Sequence, residues 1–462
     1  MVSAAPAFNI NHFYRMPAYD DFTERPGLSN PPSLIVADDH GRIFDMPGLI
    51  MAGMSIARPQ VPDSAHLCVI PEHASLFKLS GRRPIGYDPA AKRFVTVHEF
   101  HGMPVHAVGA FASPAYILFL HTAFKALSDA PRLPLYSYAA VGWKDGRFYA
   151  AARKIDRDFH TPVDERDVCR RARLLKRRYT GNRLVRHLMD NCVLRYQCPN
   201  ARNLALGRWE CPVPASPGCN ARCIGCISLQ PESSHVPASQ HRFDFVPTRG
   251  EIVEYAAPHL QHACRAVASF GQGCEGEPLL QARVIEAAIR EIRRRTSRGI
   301  IHMNTNAGMP RAVGRLCRAG LDSIRVSMNS AQPRYYAAYH RPRGYSFDDV
   351  LASMRIVRGH GAWVSINYLA FPGFTDHPEE MAAFFRLVRT ARPDMVQLRN
   401  LNIDPEWYIR ELGLERLRGK PRGMPAWIDE MRRRFPGIRL GYYNPPRSEI
   451  SRWRREHPRG RP

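Results

Sequence analysis

The chain has 462 residues, 66 Lys and Arg against 42 Asp and Glu, a formal net charge of +24 and 11 cysteines. With 44% hydrophobic and 23% charged residues it is neither a disordered nor a collagen-like chain, and its length allows two or three domains, one of them large enough for an α/β barrel. The most apolar stretch, Val108 to Phe124, is broken by Pro114 and His121, so no segment reaches the roughly 18 apolar residues of a membrane span.

The opening residues have no basic start followed by an apolar run, which points to a cytoplasmic compartment. There the cysteines serve as metal ligands or buried thiols rather than disulfides. Seven of the 66 cations are Lys, and the basic residues are dispersed, with clusters at Arg170 to Arg178, Arg293 to Arg295 and Arg447 to Arg461. Such a surface favours polyanions in general and leaves nucleic acid open as a partner without identifying one.

In chain order, residues 1–205 read as a mixed α/β amino-terminal domain of unknown role. Its first 35 or so residues form an irregular, Pro-rich lead-in. Short apolar runs split by turns follow, among them SLIVADDHGRIF and RFVTVHEFHGMPVHAVGAF. In YSYAAVGWKDGRFYAAA, the pair Asp145-Gly146 supplies the positive φ of a tight turn between two aromatic-rich strands. From Glu165 to Met189 the pattern turns helical and basic.

Residues 206–445 are regular. Strand-like runs recur at CRAVASF, GIIHMNTN, DSIRVSMN, AWVSINYLAF and DMVQLRNLNI, with one more expected just before Cys219 and a seventh at GIRLGYY. Amphipathic helical stretches separate most of them, such as EPLLQARVIEAAIREIRRR and SFDDVLASMRIVRGH, and Thr248 with Glu251 forms a capping box for another. This alternation predicts a parallel sheet covered by helices, either a barrel or a doubly wound sheet. Residues 446–462 read as a mobile basic tail.

The strongest local signal is PGCNARCIGCIS, with Cys219, Cys223 and Cys226 spaced C-x3-C-x2-C. Three thiolates so close can converge on one metal centre. A closed zinc site would need a fourth ligand, whereas an iron–sulfur cubane held by three cysteines leaves one iron without a protein ligand. A zinc knuckle or three unrelated thiols are the alternatives.

The motif resembles the radical S-adenosylmethionine (radical SAM) superfamily, whose members carry C-x3-C-x2-C after the first strand of a partial (β/α)6 TIM-like barrel. The resemblance extends over Cys211 to Asp404. SFGQGCEGEPLL is similar to the family's Gly-Gly-Glu-Pro region, with Gly276, Glu277 and Pro278 in the matching places, and AGLDSIRVSMNS and NYLAFPGFTD resemble its fourth and fifth strand segments. The resemblance implies an enzyme in which Cys219, Cys223 and Cys226 ligate a [4Fe-4S] cluster and S-adenosylmethionine chelates the open iron. One electron from a reductant such as flavodoxin or ferredoxin then yields a 5′-deoxyadenosyl radical that takes hydrogen from an unidentified small molecule, peptide or RNA. It further implies that Glu277 lies near the methionyl ammonium and that Ser327 and Asn329 contact the methionyl carboxylate or the ribose. The sequence departs from the family where many members carry an aromatic residue before the third cysteine and this chain has Gly225.

Strand periodicity bears on the same region. Parallel strands buried on both faces read as continuous apolar runs, yet Ile324, Val326 and Met328 alternate with Arg325, Ser327 and Asn329, and Ile301, Met303 and Thr305 with His302, Asn304 and Asn306. The polar rows are expected to face the interior, with Asn304 and Asn306 lining the cofactor site. Arg325, Asn367, Gln397 and Arg399 are weaker candidates for substrate contact, with a structural hydrogen-bonding role as an equal reading.

Cys274, inside the GQGCEGEP loop, is a candidate reactive group, set against the reading of a small buried filler. Cys192, Cys198 and Cys211, with Cys169, are candidates for a second metal site at wide spacing. A rival function of another class is a zinc-containing nucleic-acid-binding protein without radical chemistry.

Overall fold

The computed structural model describes residues 31–156 and 163–458, so most of the expected lead-in lies outside the described residues. These residues divide into two units. The first takes the residues up to 156 together with Ala370–Pro378 and Asn400–Asp429. The second takes those from 163 to Leu369, Glu379–Arg399 and those from Glu430 onward.

The first unit is built on antiparallel pairing. Asp145 and Gly146 have φ of 48° and 77°, and the turn they make joins Ala139–Lys144 to Arg147–Lys154 with Val141 opposite Ala150 and Lys144 opposite Arg147. Hairpins and short strands of this kind extend into a 14-stranded antiparallel sheet that nearly closes on itself. The expectation of a mixed α/β amino-terminal domain is corrected here: the apolar runs up to 156 are strands paired with one another, while the helical stretch from Glu165 belongs to the second unit. The expected boundary at 205 falls inside that second unit.

Buried polar side chains hold the later segments in the first unit. Arg82, only 2% exposed, donates to Asp404 at 2.7 Å and to the carbonyls of Ser80 and Pro131. Asp404 also accepts from Leu133 N and caps the helix Pro405–Leu412 through Trp407 N. Removing one partner of such a buried pair leaves an uncompensated charge, a loss of about 3–5 kcal/mol.

The second unit is a seven-stranded parallel sheet whose strands lie in chain order: Glu210–Val213, Val267–Phe270, Ile300–Thr305, Ser323–Met328, Trp363–Ala370, Met395–Asn400 and Arg439–Gly441. The seventh, read from GIRLGYY, pairs parallel to the sixth and extends the expected six. Between them run helices whose apolar stripes face the sheet. Ala282–Arg295, for example, buries Ile285, Ala288, Ile289 and Ile292, each isoleucine worth about 1.5–3 kcal/mol. Thr248 and Glu251 make the expected capping box of Arg249–His262, and Ser346 with Asp349 makes another.

The tail differs from expectation. Arg447–Glu456 is a helix whose Ile450 is buried with Val267, Ile300, Trp363 and Met395, residues at or beside the beginnings of their strands. Glu449 anchors it by pairing with Arg265 and Arg439. Its apolar residues at Ile450 and Trp453, set among arginines, cover one end of the sheet and leave the carboxyl ends of the strands as the place for loops to build a site.

Candidate active site

The first parallel strand ends at Val213, and the chain then forms the loop bearing the three cysteines. That loop is fastened by backbone bonds to the end of the helix Pro333–His340: Arg222 N and Ile224 N donate to the carbonyls of His340 and Tyr339, and Arg343 N donates to Asn220 O. Gln230 donates from its amide to the carbonyls of Ile224 and Cys226, both at 2.8 Å. Polar side chains approach the sulfurs. The Arg242 guanidinium donates to Cys226 Sγ at 3.1 Å, and His340 Nδ1 lies 3.3 Å from Cys223 Sγ. Burial holds the His340 imidazole neutral, with its pKa lowered to about 3. Burial also raises the pKa values of the Cys219 and Cys223 thiols, so ligation to a metal is what would deprotonate them.

The motif supplies three thiols on one loop. A closed structural zinc site takes four protein ligands, whereas an iron–sulfur cubane held by three cysteines leaves one iron open, so a donor set of three fits the cluster. A separate group, His187, Cys192 and Cys274, brings its ligand atoms within 4.8 Å of one another.

The loop after the second strand packs directly on the cysteine loop. A Cβ at Gly276 would overlap the carbonyl of Gly218, so only glycine permits this approach, and Gly276 N and Glu277 N donate to the carbonyls of Ser216 and Gly218. Glu275 clamps the two loops together. One carboxylate oxygen accepts from Ala215 N and Ser216 N, and the other from Gly271 N and Gln272 N, all between 2.7 and 2.8 Å. Burial pushes Glu275 up to about 7, and the four backbone donors pull the other way.

Residues 213–385 match the family model described as the Radical SAM superfamily. The chain carries a radical SAM domain over these residues. It is a radical SAM enzyme, which sets aside the alternative without radical chemistry. Its structure is similar to that of a methylornithine synthase (PylB), at 16% identity, covering 60% of this chain and 69% of that one with a TM-score of 0.35. It is also similar to Streptococcus suis SuiB bound to S-adenosylmethionine, at 13% identity, 63% and 69% coverage and a TM-score of 0.35. A third similar structure is the FeFe-hydrogenase maturase HydG from Carboxydothermus hydrogenoformans, at 12% identity, 60% and 76% coverage and a TM-score of 0.31. No curated protein matches the sequence. Among the described residues no helix is long and apolar enough to cross a membrane.

Around the radical SAM motif, the residues expected to bind cofactor divide by what they touch. Glu277 is buried, and both its oxygens are engaged: one accepts from Thr305 Oγ1 at 2.5 Å and from Leu279 N, the other from Asn306 N at 2.8 Å. Burial pushes its carboxyl up to about 7. Pro278 follows at the start of a short 3-10 turn. The Asn306 side chain donates to Asn220 Oδ1 at 2.6 Å, tying the third strand's end to the cysteine loop. Asn304 donates to the carbonyls of Phe270 and Gly271 and pairs with His302, closing the end of the second strand. Asn329 is fully buried and donates to Tyr335 O, and Ser327 sits half-buried on the fourth strand.

The weaker substrate candidates lie in one polar network along the sheet's inner row. Arg325 donates to Gln397, Gln397 to Asn444, and Arg399 to Asn367 and to the Tyr442 carbonyl, with the Arg399 guanidinium over the Tyr442 ring. Burial raises Glu210 to about 7 and lowers Arg325 to about 9, and each charge partly offsets the other. The alternating polar row thus spends much of its hydrogen-bonding capacity on itself.

Cys274 is buried, and contact with the Cys192 thiol together with burial raises its pKa well above the ordinary value, with a hydrogen bond to His187 pulling the other way. The group that Cys192 joins is completed by His187 and Cys274. Sequence reasoning passed over Glu275, Arg242 and His340. Glu275 was legible as a second acid beside Glu277, whereas Arg242 and His340 reach the sulfurs from 16 and 117 residues away and carried no local signal.

Proposed function

We propose that the protein cleaves S-adenosylmethionine reductively at a [4Fe-4S] cluster held by Cys219, Cys223 and Cys226, and that the resulting 5′-deoxyadenosyl radical abstracts hydrogen from a substrate yet to be identified. The observation that carries this reading is the three motif thiols on one fastened loop after the first strand, inside the stretch that matches the Radical SAM family model and approached by Arg242 and His340. When bound, the cluster supplies one electron to the sulfonium of S-adenosylmethionine, and the protein contributes position and exclusion of water.

In this reading the chain's own residues have separate duties. Arg242 donates to Cys226 Sγ, and a hydrogen bond to a cluster sulfur stabilises the added electron and raises the potential. Gly276 lets the second-strand loop approach the cysteine loop closely enough for its backbone to border the methionyl end of S-adenosylmethionine. Glu277 acts through Thr305 and Asn306, whose positions it fixes, and Ser327, Asn329, Asn304 and Asn306 border the ribose and carboxylate. The electron comes from a one-electron carrier such as a flavodoxin or ferredoxin.

The test is anaerobic reconstitution followed by iron and sulfide analysis and by assay of 5′-deoxyadenosine under dithionite. About four irons and four sulfides per chain with 5′-deoxyadenosine release are expected, and Cys223→Ser should lower that release by about 10³-fold or more with the folding transition kept. Stoichiometric zinc without a cluster, or undiminished release by the variant, would overturn the reading.

A further inference from the structure

A second group of ligand-type side chains converges away from the cysteine loop. After the helix Arg183–His187 the chain does not stop but widens into π-helical winding over Leu188–Arg195. In an α-helix, residues four apart stack over one another. With i to i−5 bonding, such as Tyr196 N to Asn191 O at 2.9 Å, the stacked residues are five apart. His187 and Cys192 are five apart, so the unusual winding brings the imidazole and the thiol to one face. Segments of this kind form poorer hydrogen bonds than an α-helix and concentrate at functional sites.

Cys274 arrives from the loop after the second strand, and the ligand atoms of His187, Cys192 and Cys274 all lie within 4.8 Å of one another. Both cysteines are buried. His187 Nε2 is buried, the Cys274 thiol makes a side-chain hydrogen bond with this imidazole, and the Asn191 amide nitrogen lies 3.2 Å from Nδ1. Ligation through Nε2 requires the Asn191 amide to turn so that its oxygen accepts from Nδ1–H, which leaves the lone pair on Nε2. Phe243 packs edge-on against the imidazole and holds its plane. A cavity of about 170 Å³ opens beside the three residues, lined also by Tyr196, His241, Arg242 and Asp244.

We propose that His187, Cys192 and Cys274 form a second metal site, an open Cys2His centre for Zn²⁺ whose fourth position faces this cavity. Two thiolates and one imidazole are a ligand set of open zinc sites, and donors already within 4.8 Å of one another need close by no more than about 1 Å to reach the spacing of a zinc tetrahedron. The site is independent of the cluster chemistry proposed above. Its consequence is mechanical as well as chemical: the ion would clasp the π-helical segment to the loop that carries Glu275, Gly276 and Glu277.

The full-length protein, purified anaerobically and incubated with Zn²⁺ alone before gel filtration, should retain about one zinc per chain, and the Cys219→Ser/Cys223→Ser/Cys226→Ser variant should retain the same amount. Cys192→Ser/Cys274→Ser should lose it. Loading with Co²⁺ in place of zinc should give thiolate-to-cobalt charge-transfer absorption in wild type and not in His187→Ala. Because these variants can disturb folding, zinc-edge X-ray absorption of the wild-type protein gives a second readout, with a two-sulfur shell completed by nitrogen or oxygen expected. No retained zinc, zinc retained by the Cys192→Ser/Cys274→Ser variant, a shell with fewer or more than two sulfurs, or a Cys192–Cys274 disulfide in the anaerobic protein would each overturn the proposal.

Discussion

The two thiol sets of the parallel unit are assembled in different ways. Cys219, Cys223 and Cys226 are neighbours in sequence and share one loop. His187 and Cys274 lie 87 positions apart, yet their donors and that of Cys192 lie within 4.8 Å of one another. The first set is held by backbone bonds from its loop to the end of one helix. The second is assembled by a change of helical winding and the arrival of a distant loop. Nearness along the chain puts one set of ligands on a single loop, whereas the other set is brought together only by the fold.

Glu275 stands between the two sets and offers the most severe way to break the comparison. It follows Cys274 directly, and its oxygens accept four backbone N–H groups, two from the strand-one loop that leads to Cys219 and two from the Cys274 loop. Glu275→Ala leaves those donors without an acceptor in a buried place, at about 1–3 kcal/mol for each one that water cannot reach. A loss of at least about 3 kcal/mol in urea unfolding is expected, together with loss of iron loading. If stability falls by less than about 1 kcal/mol, the two loops are held by something other than this carboxylate.

Much of this region was readable beforehand. The parallel sheet announced itself by alternation of strand and helix patterns, and the Asp145-Gly146 turn by the one backbone conformation that tight hairpins require. The amino-terminal unit was misread because its strands are short and its apolar runs irregular, and because the basic helix from Glu165, contiguous in sequence, packs with the other unit. The tail was misread because its arginines mask two apolar residues, Ile450 and Trp453, which suffice to seat a helix on an existing apolar end. At the site, the motif cysteines were legible from spacing. Arg242 and His340 were not, because a side chain that reaches a sulfur across the fold leaves no periodic trace in its own segment.

Arg242 sharpens the comparison, since it donates to Cys226 Sγ and also lines the cavity beside the second set. Arg242→Gln removes the charge-assisted bond to the sulfur. The cluster potential is expected to move to more negative values, with 5′-deoxyadenosine formation down by about 10–100-fold and zinc content unchanged. Potentiometric EPR titration reads the first effect. An unchanged potential would mean that the guanidinium serves the cavity rather than the sulfur.

The smallest effect is expected at the base of the π-helical segment. The helix leading to His187 is pinned by Arg183, which grips both oxygens of Glu251 at 2.7 and 2.8 Å, and by Asn182, which donates to Glu251 O and to the Glu254 carboxylate. The Arg183 bond holds the Glu251 carboxyl down at about 2, against an ordinary 4.5. A group whose folded pKa is depressed contributes stability in full above its unfolded value, so this anchor is complete above about pH 4.5 and is lost as pH falls through about 2. The pair is partly exposed and screened, so Glu251→Gln should cost only about 1 kcal/mol, including the weakened capping box. Hydrogen exchange should locate the change. Amides of 183–195 lose protection in the variant and in acid, while those of 219–226 keep theirs, because that loop hangs on the end of Pro333–His340 and not on this helix. Equal loss in both segments would mean that the two thiol sets move as one body.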